Sequence, residues 1–329
     1  MRVGVLGAGS WGTTFSIVLA KNNHDVMLWT NEAIDHDNIK NFRINKRYIP
    51  EQALSEKISV TMDLKEAIDG AELLVLAVPS HVVRIICTQI KSIVNESTII
   101  LNLAKGFEET TFKRMSEVVF EELGSSIKYI ALSGPNIATE IARGLPAGAS
   151  IAGNDGVVLK DVQKIISNKY FKAYINDDLI GVEVSGAVKN IIAIASGFIE
   201  GKNLGINTRA QLVSRGMAEM VALGIRLGGK ERTFLGLSGL GDMITTCFSP
   251  NSRNFSFGYR IGQGMSIIDA LNANHMVVEG VKTCKVVYEM SCEFNIDMPI
   301  TREIYCALYK NKQPDDVLNS LLSRPLISE

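Results

Sequence analysis

A short apolar stretch, Val3-Gly4-Val5-Leu6, runs straight into Gly7-Ala8-Gly9-Ser10-Trp11-Gly12 and then into the helical pattern Thr13-Thr14-Phe15-Ser16-Ile17-Val18-Leu19. The order constrains the fold more than the glycines do, because it sets a G-x-G-x-x-G turn between a strand and a helix. Gly7 permits the tight turn, Gly9 lets backbone approach a pyrophosphate, and Gly12 lets the helix pack on its strand. The phosphates then meet unpaired N–H groups at a helix N-terminus. The segment predicts a dinucleotide site.

Alternation of short apolar runs with helical stretches continues to about residue 175, with strands expected at Asp25–Trp29, Lys57–Val60, Leu73–Val78, Thr98–Leu103, Lys128–Leu132, Gly148–Ala152 and Phe171–Ile175. This rhythm predicts an α/β fold whose N-terminal part is a Rossmann-type, doubly wound parallel sheet. The polar stretch Thr30–Pro50, with Arg43, Lys46 and Arg47, reads as a long loop, either simply solvated or a lid over the adenosine end of a cofactor. After Asp177 the strand signal fades and helical patterns take over at Ile180–Glu200, Arg209–Leu227, Gly280–Phe294 and Thr301–Lys310. Polar Asn176-Asp177-Asp178 is suited to cap the first of them. The expected division is residues 1–177 as a dinucleotide-binding domain and 178–329 as an all-α substrate and catalytic domain.

Bulk composition excludes several classes. With 34 basic and 35 acidic residues, the net charge of -1 provides no field to attract nucleic acid or an anionic membrane, so an anionic ligand must be held by local groups. Cys87, Cys247, Cys284, Cys292 and Cys306 are odd in number and scattered, the pattern of reduced thiols in a cytoplasmic protein. His24, His36, His81 and His275 are equally dispersed, so no metal site is expected and a Ser-His-Asp hydrolase lacks both elbow and partner. The N-terminus enters the first strand directly, which predicts no secretory signal, and no apolar run reads as long enough for a membrane span.

Open parallel sheets bind ligands beyond the carboxyl ends of their strands. Three expected strands end in Pro79-Ser80-His81, in Ala104-Lys105-Gly106 and in Ser133-Gly134-Pro135-Asn136, all on the edge that carries the glycine turn. Lys105 there is either a surface lysine or a partner for a substrate anion. Lys189, followed by Asn190, interrupts the almost wholly apolar helix Ile180–Glu200. It either snorkels to solvent or is buried, in which case desolvation or a neighbouring cation such as Lys105 lowers its pKa into the range of proton exchange. Gly236-Leu237-Ser238-Gly239-Leu240-Gly241 has no strand before it and reads as a flexible loop or close helix contact delivering Asp242 and Thr246. Arg253, in Ser252-Arg253-Asn254, offers a planar fork for phosphate, beside the donors of Asn254.

Taken together, Gly7–Gly12, Leu103-Ala104-Lys105-Gly106, Ser133-Gly134-Pro135-Asn136 with Glu140, Val188-Lys189-Asn190, Gly239-Leu240-Gly241-Asp242 and Ser252-Arg253-Asn254 resemble the bacterial NAD(P)-dependent sn-glycerol-3-phosphate dehydrogenases, over residues 1 to about 320. The resemblance implies a cytoplasmic homodimer that reversibly reduces dihydroxyacetone phosphate to sn-glycerol 3-phosphate for glycerophospholipid synthesis. It implies Lys189 as proton donor and acceptor, with Lys105, Asp242 and Thr246 completing the catalytic group. Gly134, Asn136, Asn190, Ser252, Arg253 and Asn254 match substrate contacts, together with Lys105, Lys189 and Asp242. Ser10, Trp11, Lys105, Ala138, Arg253, Val277 and Glu279 match cofactor contacts beside Gly7, Gly9 and Gly12.

Two positions depart from the pattern. Members preferring NADP commonly carry an arginine just after the second strand, where this chain has Thr30-Asn31-Glu32. Either Glu32 accepts from ribose hydroxyls, favouring NAD, or Arg43 or Lys46 replaces the arginine, so NAD and NADP both stay open. Asn136 stands where the family often places Ser or Thr, which implies altered affinity rather than lost activity. The rival readings are a two-domain dehydrogenase of a 3-hydroxy acid or sugar phosphate acid, and a redox-sensing binding protein. The first should lack the Lys-Asn, Gly-Asp and Arg-Asn blocks in this order, and the second has no need of a proton donor.

Overall fold

The computed structural model describes residues 1–273 and 277–325, so His275 lies outside the described residues. Its strands are β1 (Arg2–Leu6), β2 (Asp25–Trp29), β3 (Ile44–Asn45), β4 (Ile49–Ala53), β5 (Ile58–Thr61), β6 (Leu73–Leu76), β7 (Ile99–Asn102), β8 (Lys128–Ser133), β9 (Ala147–Gly153) and β10 (Phe171–Ile175). Helices of the same half are α1 (Ser10–Lys21), α2 (Ala33–Phe42), α3 (Leu64–Ile68), α4 (Val83–Ile90), α5 (Met115–Leu123), α6 (Ala138–Ala142) and α7 (Gly156–Ile166). The main sheet has the order β10-β9-β8-β7-β6-β1-β2-β5, and β3 pairs only with β4. Covered on both faces, β6 is buried at every residue, which is why it reads as an unbroken apolar run.

From β5 through β8 all neighbours are parallel, so the carboxyl ends of β1, β2, β6, β7 and β8 share one edge with the Gly7–Gly12 turn. The expectation of a wholly parallel sheet needs correction at β9, which runs antiparallel to β8 and carries β10 with it. Between Ser133 and Ala147 the chain forms only the five-residue α6. It turns back at the carboxyl edge instead of crossing over the sheet.

A second correction concerns Thr30–Pro50, which contains α2 and the start of the β3–β4 hairpin instead of a long loop. Fully buried Ile39 and nearly buried Asp35 anchor α2, too narrow an inward face to show in the periodicity.

The second half comprises α8 (Leu179–Gly201), α9 (Gly205–Arg226), α10 (Glu231–Phe234), α11 (Asp242–Phe248), α12 (Arg253–Gly262), α13 (Ile267–Asn272), α14 (Glu279–Glu293), α15 (Pro299–Lys310) and α16 (Pro314–Leu322). Asp178 caps α8, accepting from Gly181 N at 2.8 Å, and its other oxygen accepts from Lys230 N at 2.7 Å. With 23 residues, α8 is long and apolar enough to cross a membrane, contrary to the expectation that no segment was. Its apolar surface is instead spent inside the fold, 78% of the most apolar window being buried. The tightest neighbour is α12, where a Cβ at Gly197 would stand 2.0 Å from Phe255 O.

The two halves are joined through Glu183 on α8. Its carboxylate accepts from Ser116 N at 2.8 Å, Ser116 Oγ at 2.7 Å, Tyr129 Oη at 2.8 Å and Arg114 at 2.9 Å. Burial pushes its pKa up, and the Arg114 charge with these hydrogen bonds pulls it back.

Candidate active site

The turn after β1 fits a pyrophosphate. Gly7 adopts φ +116°, and a Cβ at Gly12 would lie 1.9 Å from Gly7 O, so the turn closes only with glycine there. At Gly9 a Cβ would meet nothing within 4 Å, which leaves open space above the backbone. No side chain caps the N-terminus of α1 and no acidic residue stands in its first turn, so its positive end is free for an anion. Trp11 in that turn has a buried Nε1 without a partner. Asn45 of β3 holds the turn from outside, donating to Ala8 O and to Thr13 Oγ1, each at 2.8 Å. This packs the β3–β4 hairpin against the dinucleotide turn. Arg43 is committed to backbone, donating to the carbonyls of Leu54 and Ser55, and Lys46 lies 3.6 Å over the Phe42 ring.

Beyond the carboxyl ends of β7 and β8, two lysines converge on one carboxylate. Lys189 on α8 donates to Asp242 Oδ1 at 2.5 Å and to Thr246 Oγ1 at 2.7 Å. Lys105, just past β7, donates to Asp242 Oδ2 at 2.7 Å and to Gly134 O at 3.3 Å. The lead-in to Asp242 is a π-helical turn, Leu237–Gly241, packed closely on Phe234, so the glycines serve a tight helix contact and not a flexible loop. Asp242 and Thr246 stand one turn apart on α11 and thereby address the same ammonium.

Electrostatics shift both Lys189 and Asp242 from their ordinary ranges. Burial lowers the Lys189 pKa to about 8, Asp242 opposing and Lys105 reinforcing the shift. Burial alone would raise the Asp242 pKa, but the paired charges of Lys105 and Lys189 outweigh it and hold the carboxyl below its ordinary range. Lys189 and Asp242 have side chains only 8% and 2% exposed, so the proton chemistry of the lysine is set by its neighbours and not by bulk water.

The other expected site residues are held by contacts of their own. Asn190, next to Lys189, accepts from Asn254 Nδ2 at 2.9 Å, and Asn254 Oδ1 accepts from Gly280 N at 2.9 Å. These bonds register α8, α12 and the start of α14 against one another. Arg253, exposed at the N-terminus of α12, donates to Val277 O at 3.3 Å and so stands beside the segment leading to Glu279. Ser252 is the N-cap of α12, accepting from Phe255 N. Ala138 is tied to α1 through Thr14 Oγ1, 3.2 Å from its carbonyl. Asn136 Nδ2 donates to Gly148 O at 3.2 Å, and its Oδ1 is buried and unpartnered.

Several positioning contacts were not apparent in the sequence. Ser133 Oγ lies 3.5 Å from Asp242 Oδ2. At Gly186 a Cβ would lie 2.8 Å from Ser133 Oγ and 3.3 Å from Lys105 Cγ, so its absence lets the Lys105 stem run along α8. Asn45 and Glu183 act across long sequence separations and carry no local signature. Among the described residues no cluster of His, Cys, Asp or Glu is suited to a metal ion.

Comparison with known proteins places the whole chain in one family. Residues 2–158 match the family model for the NAD-dependent glycerol-3-phosphate dehydrogenase N-terminus, and residues 178–319 match that for its C-terminus. A glycerol-3-phosphate dehydrogenase (NAD(P)+) of Thermoanaerobacter sp. (strain X514) is 44% identical over 324 residues, covering 98% of this chain and 97% of that protein. One from Moorella thermoacetica is 45% identical over 327 residues, covering 99% and 97%. The crystal structure of glycerol-3-phosphate dehydrogenase from Coxiella burnetii superposes with a TM-score of 0.95 at 36% identity, covering 98% of this chain and 99% of that one. Both halves of the chain and nearly its whole length therefore belong to the NAD-dependent glycerol-3-phosphate dehydrogenase family.

Proposed function

We propose that this NAD(P)-dependent oxidoreductase reduces dihydroxyacetone phosphate to sn-glycerol 3-phosphate, reversibly, with Lys189 exchanging the proton. The observation that carries this reading is the Lys189–Asp242–Lys105 group, buried at Lys189 and Asp242, set beyond the same sheet edge as the dinucleotide turn and next to Asn190 and Asn254. Residues 1–177 hold the dinucleotide through Gly7, Gly9, Ser10, Trp11, Gly12 and Ala138, and residues 178–329 supply the substrate pocket. When bound, the nicotinamide supplies the hydride that leaves negative charge on the former ketone oxygen. Lys189 stabilises that oxygen and protonates it, and in the reverse direction neutral Lys189 accepts the hydroxyl proton. Asp242 and Thr246 orient its ammonium. Lys105 and Gly134 contact the substrate, and Arg253, Asn254 and Ser252 anchor the phosphate, with Val277 and Glu279 bordering the cofactor.

The remaining parts of the reading are a homodimer, a cytoplasmic location and a product used as the backbone of glycerophospholipids. Support for the first and last comes from the family resemblance, and for the location from cysteines that are all free. The burial of α8 supports the absence of stable membrane insertion.

The test is oxidation of NADH and NADPH with dihydroxyacetone phosphate, with unphosphorylated dihydroxyacetone as control. Rapid turnover of only the phosphorylated ketone is expected. Dinucleotide binding without turnover of either ketone would favour the redox sensor or a dehydrogenase of another acid. The pH dependence has a definite sign. A lysine titrating at about 8 is the required ammonium below that pH and the required amine above it. Ketone reduction should fall, and alcohol oxidation rise, as pH increases through about 8.

Arg253→Ala should raise the KM for dihydroxyacetone phosphate by about tenfold to a hundredfold, the loss of a charge-assisted hydrogen bond. Steady-state kinetics would show a smaller change with unphosphorylated dihydroxyacetone, and equal losses with both ketones would remove Arg253 from the phosphate site.

A further inference from the structure

In sheets of this type the choice between NAD and NADP is made near the carboxyl end of β2, where the 2′ position of the adenosine ribose lies. This chain has no arginine there, yet the structure brings one in from elsewhere. Arg47, on the turn of the β3–β4 hairpin, places NH1 3.8 Å from Glu32 Oε2 and 3.8 Å from Asp35 Oδ2. Glu32 is the N-cap of α2 and Asp35 lies in its first turn, directly after β2. The guanidinium carbon also lies 5.3 Å from the centroid of the Tyr48 ring. Asn45, two residues before Arg47, pins the hairpin to the dinucleotide turn through Ala8 and Thr13. The location is therefore a built part of the cofactor cleft.

Resting on the dehydrogenase reading above, we propose that Glu32 makes this pocket NAD-preferring by pairing with Arg47, and that Arg47 is a latent ligand for a 2′-phosphate. Glu32 and Asp35 together place two carboxylates against one guanidinium, a balance that repels a phosphate and suits a pair of ribose hydroxyls. Glu32 has a side chain 51% exposed and Arg47 one 44% exposed, so both can reach a ligand, whereas Asp35 at 2% serves as the fixed inner counter-charge. At 3.8 Å the pairs are loose contacts that a phosphate, able to take the guanidinium fork bidentately, can displace once Glu32 is neutral. Neither Arg43 nor Lys46 competes for this role, since one is bonded to backbone and the other packs on Phe42.

The experiment titrates NADH and NADPH into the wild-type protein, Glu32→Gln and the double variant Glu32→Gln/Arg47→Ala. Binding is followed by quenching of the tryptophans, Trp11 in the turn and Trp29 at the end of β2. Steady-state kcat/KM with dihydroxyacetone phosphate is measured in parallel. Expected results are a wild-type preference for NADH, an NADPH affinity about tenfold tighter in Glu32→Gln, and loss of that gain in the double variant. A wild-type preference for NADPH, an unchanged NADPH affinity in Glu32→Gln, or a gain that survives Arg47→Ala would each overturn the proposal. Circular dichroism and thermal unfolding of each variant control for folding, and Glu32→Ala repeats the measurement should the glutamine variant fail that control. If no dinucleotide binds the wild-type protein, the dehydrogenase reading falls and this proposal with it; a wrong ratio alone overturns only the proposal.

Discussion

Lys189→Ala should cost about a hundredfold to ten-thousandfold in turnover in both directions, measured with dinucleotide and substrate saturating. The range is that of removing a positioned general acid and base while the hydride donor and phosphate anchor stay in place. Because Lys105 remains bonded to Asp242, the variant keeps a compensated carboxylate and should fold. Lys189→Arg should not rescue it, since a guanidinium cannot give up its proton near neutral pH. Near-native turnover in Lys189→Ala would show that the proton comes from elsewhere, with Lys105 the first group to test.

Asp242→Ala should destabilise the protein by about 3–5 kcal/mol, the range for removing one partner of a buried ion pair, because two lysines would then share a site without their counter-charge. Chemical or thermal unfolding measures that loss. Asp242→Asn preserves the shape and tests the electrostatic role separately. The aspartate charge holds the Lys189 pKa up against burial, so its removal should carry the pH dependence of activity to values below about 8. An unmoved profile in Asp242→Asn would mean that Lys189 is not the group being titrated.

Strand positions in the first half were legible because each central strand is a short apolar run with turn residues around it. Strand direction was not. Nothing in Gly148–Ala152 distinguishes a parallel from an antiparallel neighbour, and the reversal at β9 follows from the short connection through α6. Lys105 stood out as a polar group after a strand and Lys189 as one inside an apolar helix, whereas Asp242 followed a glycine-rich segment and Arg253 and Asn254 stood in a polar turn; order along the chain linked all five to one family. Asp242 as the shared partner of both lysines could not be read, since Lys105 and Asp242 are 137 positions apart. The same holds for Asn45 on Ala8, for Gly186 against Lys105 and for Arg47 against Glu32. Each is a contact between separate elements whose local sequence would serve equally well as plain surface or core.

The reversal of β9 and β10 determines where α8 can begin. With β10 running against β8, the chain leaves the sheet on the edge remote from the dinucleotide turn, and α8 starts there, with Glu183 bonded to Tyr129 near the beginning of β8. The helix then climbs beside β8, passing Ser133 at Gly186, and reaches the opposite rim as Lys189 comes into register with Asp242. Had the last two strands followed the parallel pattern, the chain would have left from the rim itself, and a helix of this length would have carried its lysine away from the cleft. The direction of two outer strands, distant from any reacting atom, is thus what routes the proton-exchanging side chain to its place.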